Sequence, residues 1–179
     1  MNLIIRRLEL KDVDSVCIME EESFSLPWHR ESFVEMINNR DALYLVAELS
    51  DDTKGRMTDS DDEVIILDDF APDYDGDVTV CGCAGLISVV GEGSICNIVV
   101  KKEFRRLGIA NRLVQSMIDT GKKQYGIRDF TLEVRQSNEP ARKLYEKLGF
   151  VCEGIRPRFY EKPVEDACIY WLREQACSD

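Results

Sequence analysis

Histidine is nearly absent. The 179 residues hold one, His29, too few to help seven cysteines build a zinc site, and no C-x-x-C pair occurs, so no metal is expected. Long apolar runs are missing as well. The uncharged stretch at residues 84–90 is far below the roughly 20 residues of a membrane span, and residues 1–10 carry Arg6 and Arg7 without the apolar core of a signal peptide. An unexported, cytoplasmic protein with no membrane partner is the expectation. Positive charge is short too: Lys+Arg 23 against Asp+Glu 34 gives a net charge of -11. That balance disfavours a grip on nucleic acid phosphates and suits a basic partner.

What is present is enough for one substantial core and too little for two, so a single domain over residues 1–179 is expected. The cysteines are odd in number and scattered through apolar segments, as reduced thiols would be. Cys81 and Cys83 share a face if their strand is regular; small buried hydrophobes explain them better than redox chemistry. Nine of the eleven net negative charges fall in residues 50–77, which hold eleven acidic residues against Lys54 and Arg56. This segment reads as an acidic, mobile insertion whose apolar island at residues 64–67 packs locally or adds an edge strand. A calcium loop is the second reading, although the Asp spacing does not match an EF-hand.

Elsewhere strand and helix signals alternate. Residues 3–10 read as a strand, and Asp12 as the cap of a helix with Val13, Val16 and Cys17 on one face. Pro27-Trp28 opens a second helix to about Asn38. Strands at 42–49, 78–90 and 94–100, with a turn at Gly91-Glu92-Gly93, imply an antiparallel meander. A helix over 108–124 stops at Gly126, a strand spans 130–135, and Asn138 and Gly149 bracket a further helix. Residues 150–156 and 164–172 close the sheet. The sum is a mixed α/β fold of the α+β kind, with helices on both faces of the sheet.

Two segments carry chemistry. In residues 98–110 a strand leads through Arg105-Arg106-Leu107-Gly108 into a helix beginning Ile109-Ala110. Unpaired N–H groups at a helix start favour a polyphosphate there, and an ordinary basic loop explains the pattern about as well. In Leu132-Glu133-Val134, Glu133 faces away from its two apolar neighbours and could serve as a base. Tyr145 lies on the stripe of Ala141, Leu144 and Leu148, where aromatic packing alone would account for it.

Taken together and in order, Arg105-x-x-Gly108-x-Ala110, Leu132-Glu133-Val134-Arg135-x-Ser137-Asn138, Ala141, Leu144-Tyr145 and Gly149-Phe150 resemble the GCN5-related N-acetyltransferase (GNAT) family. Within it they resemble the bacterial ribosomal-protein-alanine N-acetyltransferase (RimI-like) branch, where Leu26-Pro27-Trp28 also has a counterpart. The likeness is strongest over residues 97–160; the acidic insertion has no counterpart.

The resemblance implies a central, mostly antiparallel sheet whose two parallel strands, ending near Val100 and Arg135, splay apart around acetyl-CoA. It implies that backbone groups of Ile98, Val99 and Val100 hold the pantetheine arm, that Arg105, Arg106, Leu107, Gly108, Ile109, Ala110 and Asn111 form the pyrophosphate turn, and that Asn138 touches the cofactor. Glu133 becomes the general base and Tyr145 the general acid, with a backbone N–H near Val99 on the acetyl carbonyl. Trp28 and Tyr160 fall in the peptide site, where Phe159 replaces the first of two tyrosines. The implied substrate is a basic protein N-terminus, the alanine of ribosomal protein S18. Acetylation of a small amine and a CoA-binding module without catalysis are the alternatives; oligomeric state is left open.

Overall fold

Period-two burial along one strand sets the geometry of everything around it. In Asp129–Arg135 the apolar Phe130, Leu132 and Val134 are buried on one side of the sheet while Thr131, Glu133 and Arg135 turn to the other. The computed structural model of the chain describes residues 2–50, 65–67 and 79–174. Their strands are β1 (Asn2–Arg7), β2 (Ala42–Ser50), β3 (Ile65–Leu67), β4 (Thr79–Val89), β5 (Glu92–Val100), β6 (Asp129–Arg135), β7 (Val151–Glu161) and β8 (Val164–Leu172). Their helices are α1 (Val13–Ser23), α2 (Arg30–Asn38), α3 (Ile109–Tyr125) and α4 (Glu139–Lys147).

The eight strands form one sheet in the order β3-β1-β2-β4-β5-β6-β8-β7. Every neighbouring pair is antiparallel except β5 with β6. Two apolar layers sandwich it. Helices α3 and α4 cover a core of Leu113, Met117, Phe130, Leu132, Tyr145 and Tyr170; α1 and α2 cover Val13, Val16, Phe33, Tyr44, Cys83 and Val99 on the other face. Burying this many large side chains is the main force holding the helices to the sheet. No described helix is long and apolar enough to cross a membrane.

Several expectations need correction. Asp12 does not cap α1 with its side chain. It accepts two hydrogen bonds from the Arg6 guanidinium, at 2.7 and 2.8 Å, and one from the Glu9 N–H, and it ends a short 3-10 turn at Leu10–Asp12, the strand having stopped at Arg7 and not at Leu10. The hairpin turn between β4 and β5 is Val90-Gly91, with φ of 48° and 83°, and not Gly91-Glu92-Gly93; two positive φ values match the right-handed twist of the strands it joins. Cys81 and Cys83 do not share a face. The β2–β4 register slips so that Cys81 is an extra residue between Val80 and Gly82, placing Cys81 in the α3-side core and Cys83 in the α1-side core. Both are buried, and burial pushes the Cys81 thiol up to about 12.

Of the expected insertion at 50–77, Ser50 ends β2 and Ile65–Leu67 adds an edge strand antiparallel to β1. The expected mobility of that loop and the calcium alternative fall on residues outside those described.

Candidate active site

The parallel strands pair from Glu92↔Asp129 to Ile95↔Leu132 and then part. The cause is a bulge. Across β4, Leu86 pairs with Ile95 and Gly85 with Asn97, so Cys96 is the extra residue that bends β5 away. Past it, β5 stays on β4 as far as Val100, whereas β6 stays on β8 as far as Arg135. Each strand is left with backbone groups facing the gap, a template that an extended, amide-bearing ligand can pair with.

At the wide end of the gap the chain turns into α3. Arg106 has φ of 66° and Gly108 of 82°, with α3 starting at Ile109. A Cβ on Gly108 would meet nothing within 4 Å, so it is the backbone angle that calls for glycine, and the space beside it is open. Alternating backbone handedness followed by a helix start gathers N–H groups into an anion cradle. Arg106, Leu107 and Gly108 are exposed, as an approaching ligand requires. Arg105 is employed within the protein: its Nε donates to the Val100 carbonyl at 2.9 Å and its Nη2 to Ser23 Oγ at 3.2 Å, tying the turn to β5 and α1. Asn111 is half-buried, and its Oδ1 is buried without a hydrogen-bond partner.

Glu133 stands just past the last β5–β6 pair, on the face opposite Leu132 and Val134. Its carboxylate pairs with Arg156 Nη1 at 3.0 Å, and its backbone carbonyl accepts from the Tyr160 hydroxyl at 3.2 Å. Tyr145 is on α4, on the other face, with its ring 5.9 Å from Phe150 and 6.1 Å from Tyr170. Burial, and after it the nearby Tyr160 phenol, push its hydroxyl above the ordinary value, so it holds its proton at neutral pH. Asn138 caps α4, its Oδ1 accepting from the Ala141 N–H at 3.3 Å. Trp28 packs on Phe33 and Tyr44, at 5.7 and 6.0 Å between rings.

Two loops meet on this face. Ser25, in the α1–α2 loop, donates to the carbonyl of Lys162 in the β7–β8 turn. Arg135 holds that turn from below, donating to the Lys162 and Pro163 carbonyls at 2.9 and 3.1 Å while lying 4.2 Å over the Tyr160 ring.

Residues 13–150 match the Acetyltransferase (GNAT) family. The chain is a GNAT N-acetyltransferase. A Bacillus subtilis (strain 168) protein provisionally named a ribosomal protein bS18-alanine N-acetyltransferase is 32% identical over 169 residues, 94% of this chain and 93% of its own. An N-alpha-acetyltransferase of Sulfurisphaera tokodaii is 30% identical over 156 residues, 87% of this chain and 84% of its own. The crystal structure of the ribosomal-protein-S18-alanine N-acetyltransferase from Escherichia coli superposes with a TM-score of 0.73 at 25% identity, covering 100% of this chain and 97% of that one. Acetyl-CoA is the acyl donor of this family. The splayed strands and the open turn at Gly108 fit it: one offers unpaired backbone to an amide-bearing arm, the other N–H groups to a pyrophosphate.

Three polar residues at this GNAT site escape a reading of sequence motifs. Glu20 had one available signal, since 13, 16 and 20 share a helical face and Glu20 is as buried as Val13 and Val16. Asn97 is the lone amide in β5. Arg156 is a strand residue whose partner, Glu133, lies on a different strand, and nothing local marks it.

Proposed function

We propose that this GNAT enzyme acetylates the free α-amine of a protein N-terminus, and that its substrate is the N-terminal alanine of ribosomal protein S18. The observation that carries the α-amine reading is the Ser25–Lys162 hydrogen bond, which joins the α1–α2 loop to the β7–β8 turn. A site bounded by two joined loops admits the end of an extended chain more readily than a side chain in the middle of one. The names of the bacterial and archaeal relatives point the same way.

In this reading acetyl-CoA supplies the acetyl group as a thioester. The backbone of Ile98, Val99 and Val100 holds its pantetheine arm, and N–H groups from Arg106 to Asn111 hold its pyrophosphate, with Asn138 alongside. Glu133 takes a proton from the incoming α-ammonium, because an amine attacks only when neutral. A backbone N–H near Val99 polarises the carbonyl under attack. Tyr145, which keeps its proton, hands it to the departing thiolate. Trp28 and Tyr160 line the path of the peptide.

Mass spectrometry of two peptides tests this, one with a free Ala-Arg N-terminus and one N-terminally blocked with an internal Lys. Acetylation of the first alone is expected; acetylation of the internal Lys, or of neither peptide, overturns the α-amine reading.

A further inference from the structure

Glu20 is a buried carboxylate at 1% exposure with no ion-pair partner among the described residues. The contrast with Glu48, equally buried but 2.6 Å from Arg6, is direct. A carboxyl left in that state is costly to bury, and its surroundings show what it is tied to. Its Oε1 accepts from Asn97 Nδ2 at 2.9 Å, and its Oε2 accepts from the Trp28 N–H at 3.3 Å. One buried group thus links α1, the loop bearing Trp28 and the splayed part of β5.

The hydrogen bond to Glu20 settles which way the Asn97 amide faces. An ionised carboxylate only accepts, so it must meet the NH2 of Asn97 and leave the carbonyl oxygen on the other side. That oxygen is buried and has no hydrogen-bond partner. Asn97 lies beyond the last β5–β6 pair, Ile95↔Leu132, on the α1 side of the sheet. Glu133 projects to the same side from the facing strand, and its charge is felt at Cys96, the neighbour of Asn97. The Asn97 Oδ1 and the Glu133 carboxylate are therefore two acceptors on one face of the sheet, carried by the two strands that border the gap.

A primary amine needs two. Once Glu133 has taken one proton from an α-ammonium, two N–H bonds remain and the lone pair must point at the acyl carbon. An acceptor on one N–H fixes that orientation and is strengthened as the nitrogen becomes positive during attack. We propose that the Asn97 Oδ1 binds the N–H of the attacking amine and that Glu20 is the positioning residue that turns it there. The inference rests on the reading above for where the amine enters.

Isosteric exchanges test it. In Glu20→Gln, the arrangement that keeps every bond made has the new NH2 donating to Asn97 Oδ1, so that Asn97 turns a donor outward. Peptide kcat/KM should fall by roughly tenfold or more, with acetyl-CoA KM within about twofold. Adding Asn97→Asp restores an outward acceptor at unchanged net charge, and the double variant should recover most of the loss. A Glu20→Gln enzyme as active as the parent, or a folded double variant no better than Glu20→Gln alone, overturns the proposal.

A second readout does not need the double variant to fold. Asn97→Ala should lower kcat/KM on an Ala-Arg peptide by roughly tenfold or more, with acetyl-CoA KM within about twofold; an Asn97→Ala enzyme as active as the parent would sink the idea. Failure of the α-amine reading shows separately, in the parent enzyme, as acetylation of a polyamine and not of the peptide. The Glu20 and Asn97 variants then report on Asn97 with that amine.

Discussion

The guanidinium of Arg156 sits 3.0 Å from the carboxylate of Glu133, and it is half exposed while Glu133 is largely covered. In the proposed mechanism this cation occupies the place of the incoming α-ammonium. Glu133→Gln keeps the shape of the side chain and removes its ability to take a proton. The turnover number should fall by roughly a hundred- to ten-thousandfold, with acetyl-CoA KM unchanged in steady-state assays. A variant as fast as the parent would remove Glu133 from the role of base.

In the proposed mechanism Arg156 competes with the substrate for that carboxylate. Pairs this exposed are weak, worth a factor of roughly 1.4 to 5, so the competition is mild. Arg156→Gln should lower the KM for the peptide by a few-fold at low salt, and the difference should shrink as salt is raised. A rise in peptide KM would mean that Arg156 binds substrate directly.

Tyr145→Phe removes one oxygen from a packed ring cluster and leaves the contacts with Phe150 and Tyr170 in place. Stability should change little, and kcat should drop at least tenfold. Replacing the thiol leaving group by a more acidic one, which needs no proton, should rescue the variant more than the parent.

Gly108 is at φ of 82° with open space beside it. Alanine there pays only for the left-handed backbone, about 1–2 kcal/mol, which in a chain of this size is a shift of a few degrees in melting temperature. Its effect on acetyl-CoA should be larger than its effect on the peptide: a methyl group in the cradle is expected to raise acetyl-CoA KM by more than tenfold while peptide KM holds.

Much of this site was legible because its signals are local. The facing of Glu133 follows from two apolar neighbours on a strand, the cap at Asn138 from its place before Glu139-Pro140, and the helix stops from Gly126 and Gly149, which take φ of 62° and 89°. What stayed hidden depends on partners far along the chain. The bulges at Cys81 and Cys96 exist only in the register against β2 and β4, and they decide which core a thiol enters and where the cleft opens. Asp12 was legible as a helix cap but spends its carboxylate on Arg6. Asn97 and Glu20 face each other across 77 positions of sequence.

Asp12 and Glu20 should give opposite pH dependences of stability. Burial acts to raise Asp12, but hydrogen bonds from Arg6 and Glu9 and the charges of Arg6 and Lys11 hold it below its ordinary value. The unfolded chain therefore binds that proton more tightly, so the stability Asp12 contributes is present above about pH 4 and lost as pH falls through its folded value. Asp12→Asn should destabilise the protein by about 1–3 kcal/mol near pH 7, with the gap closing at lower pH. Burial raises Glu20, and hydrogen bonds from Asn97 and Trp28 offset it only in part. Here the folded chain binds the proton more tightly, so stability declines as pH rises from Glu20's unfolded value through its folded one. Relative to the parent, Glu20→Gln should therefore gain stability between pH 5 and pH 8 by about the amount its ionisation costs. Urea unfolding of the three chains at pH 8, at pH 5 and at about pH 3 measures both trends, and parallel curves for Glu20→Gln and the parent between pH 5 and pH 8 would show that Glu20 titrates alike folded and unfolded.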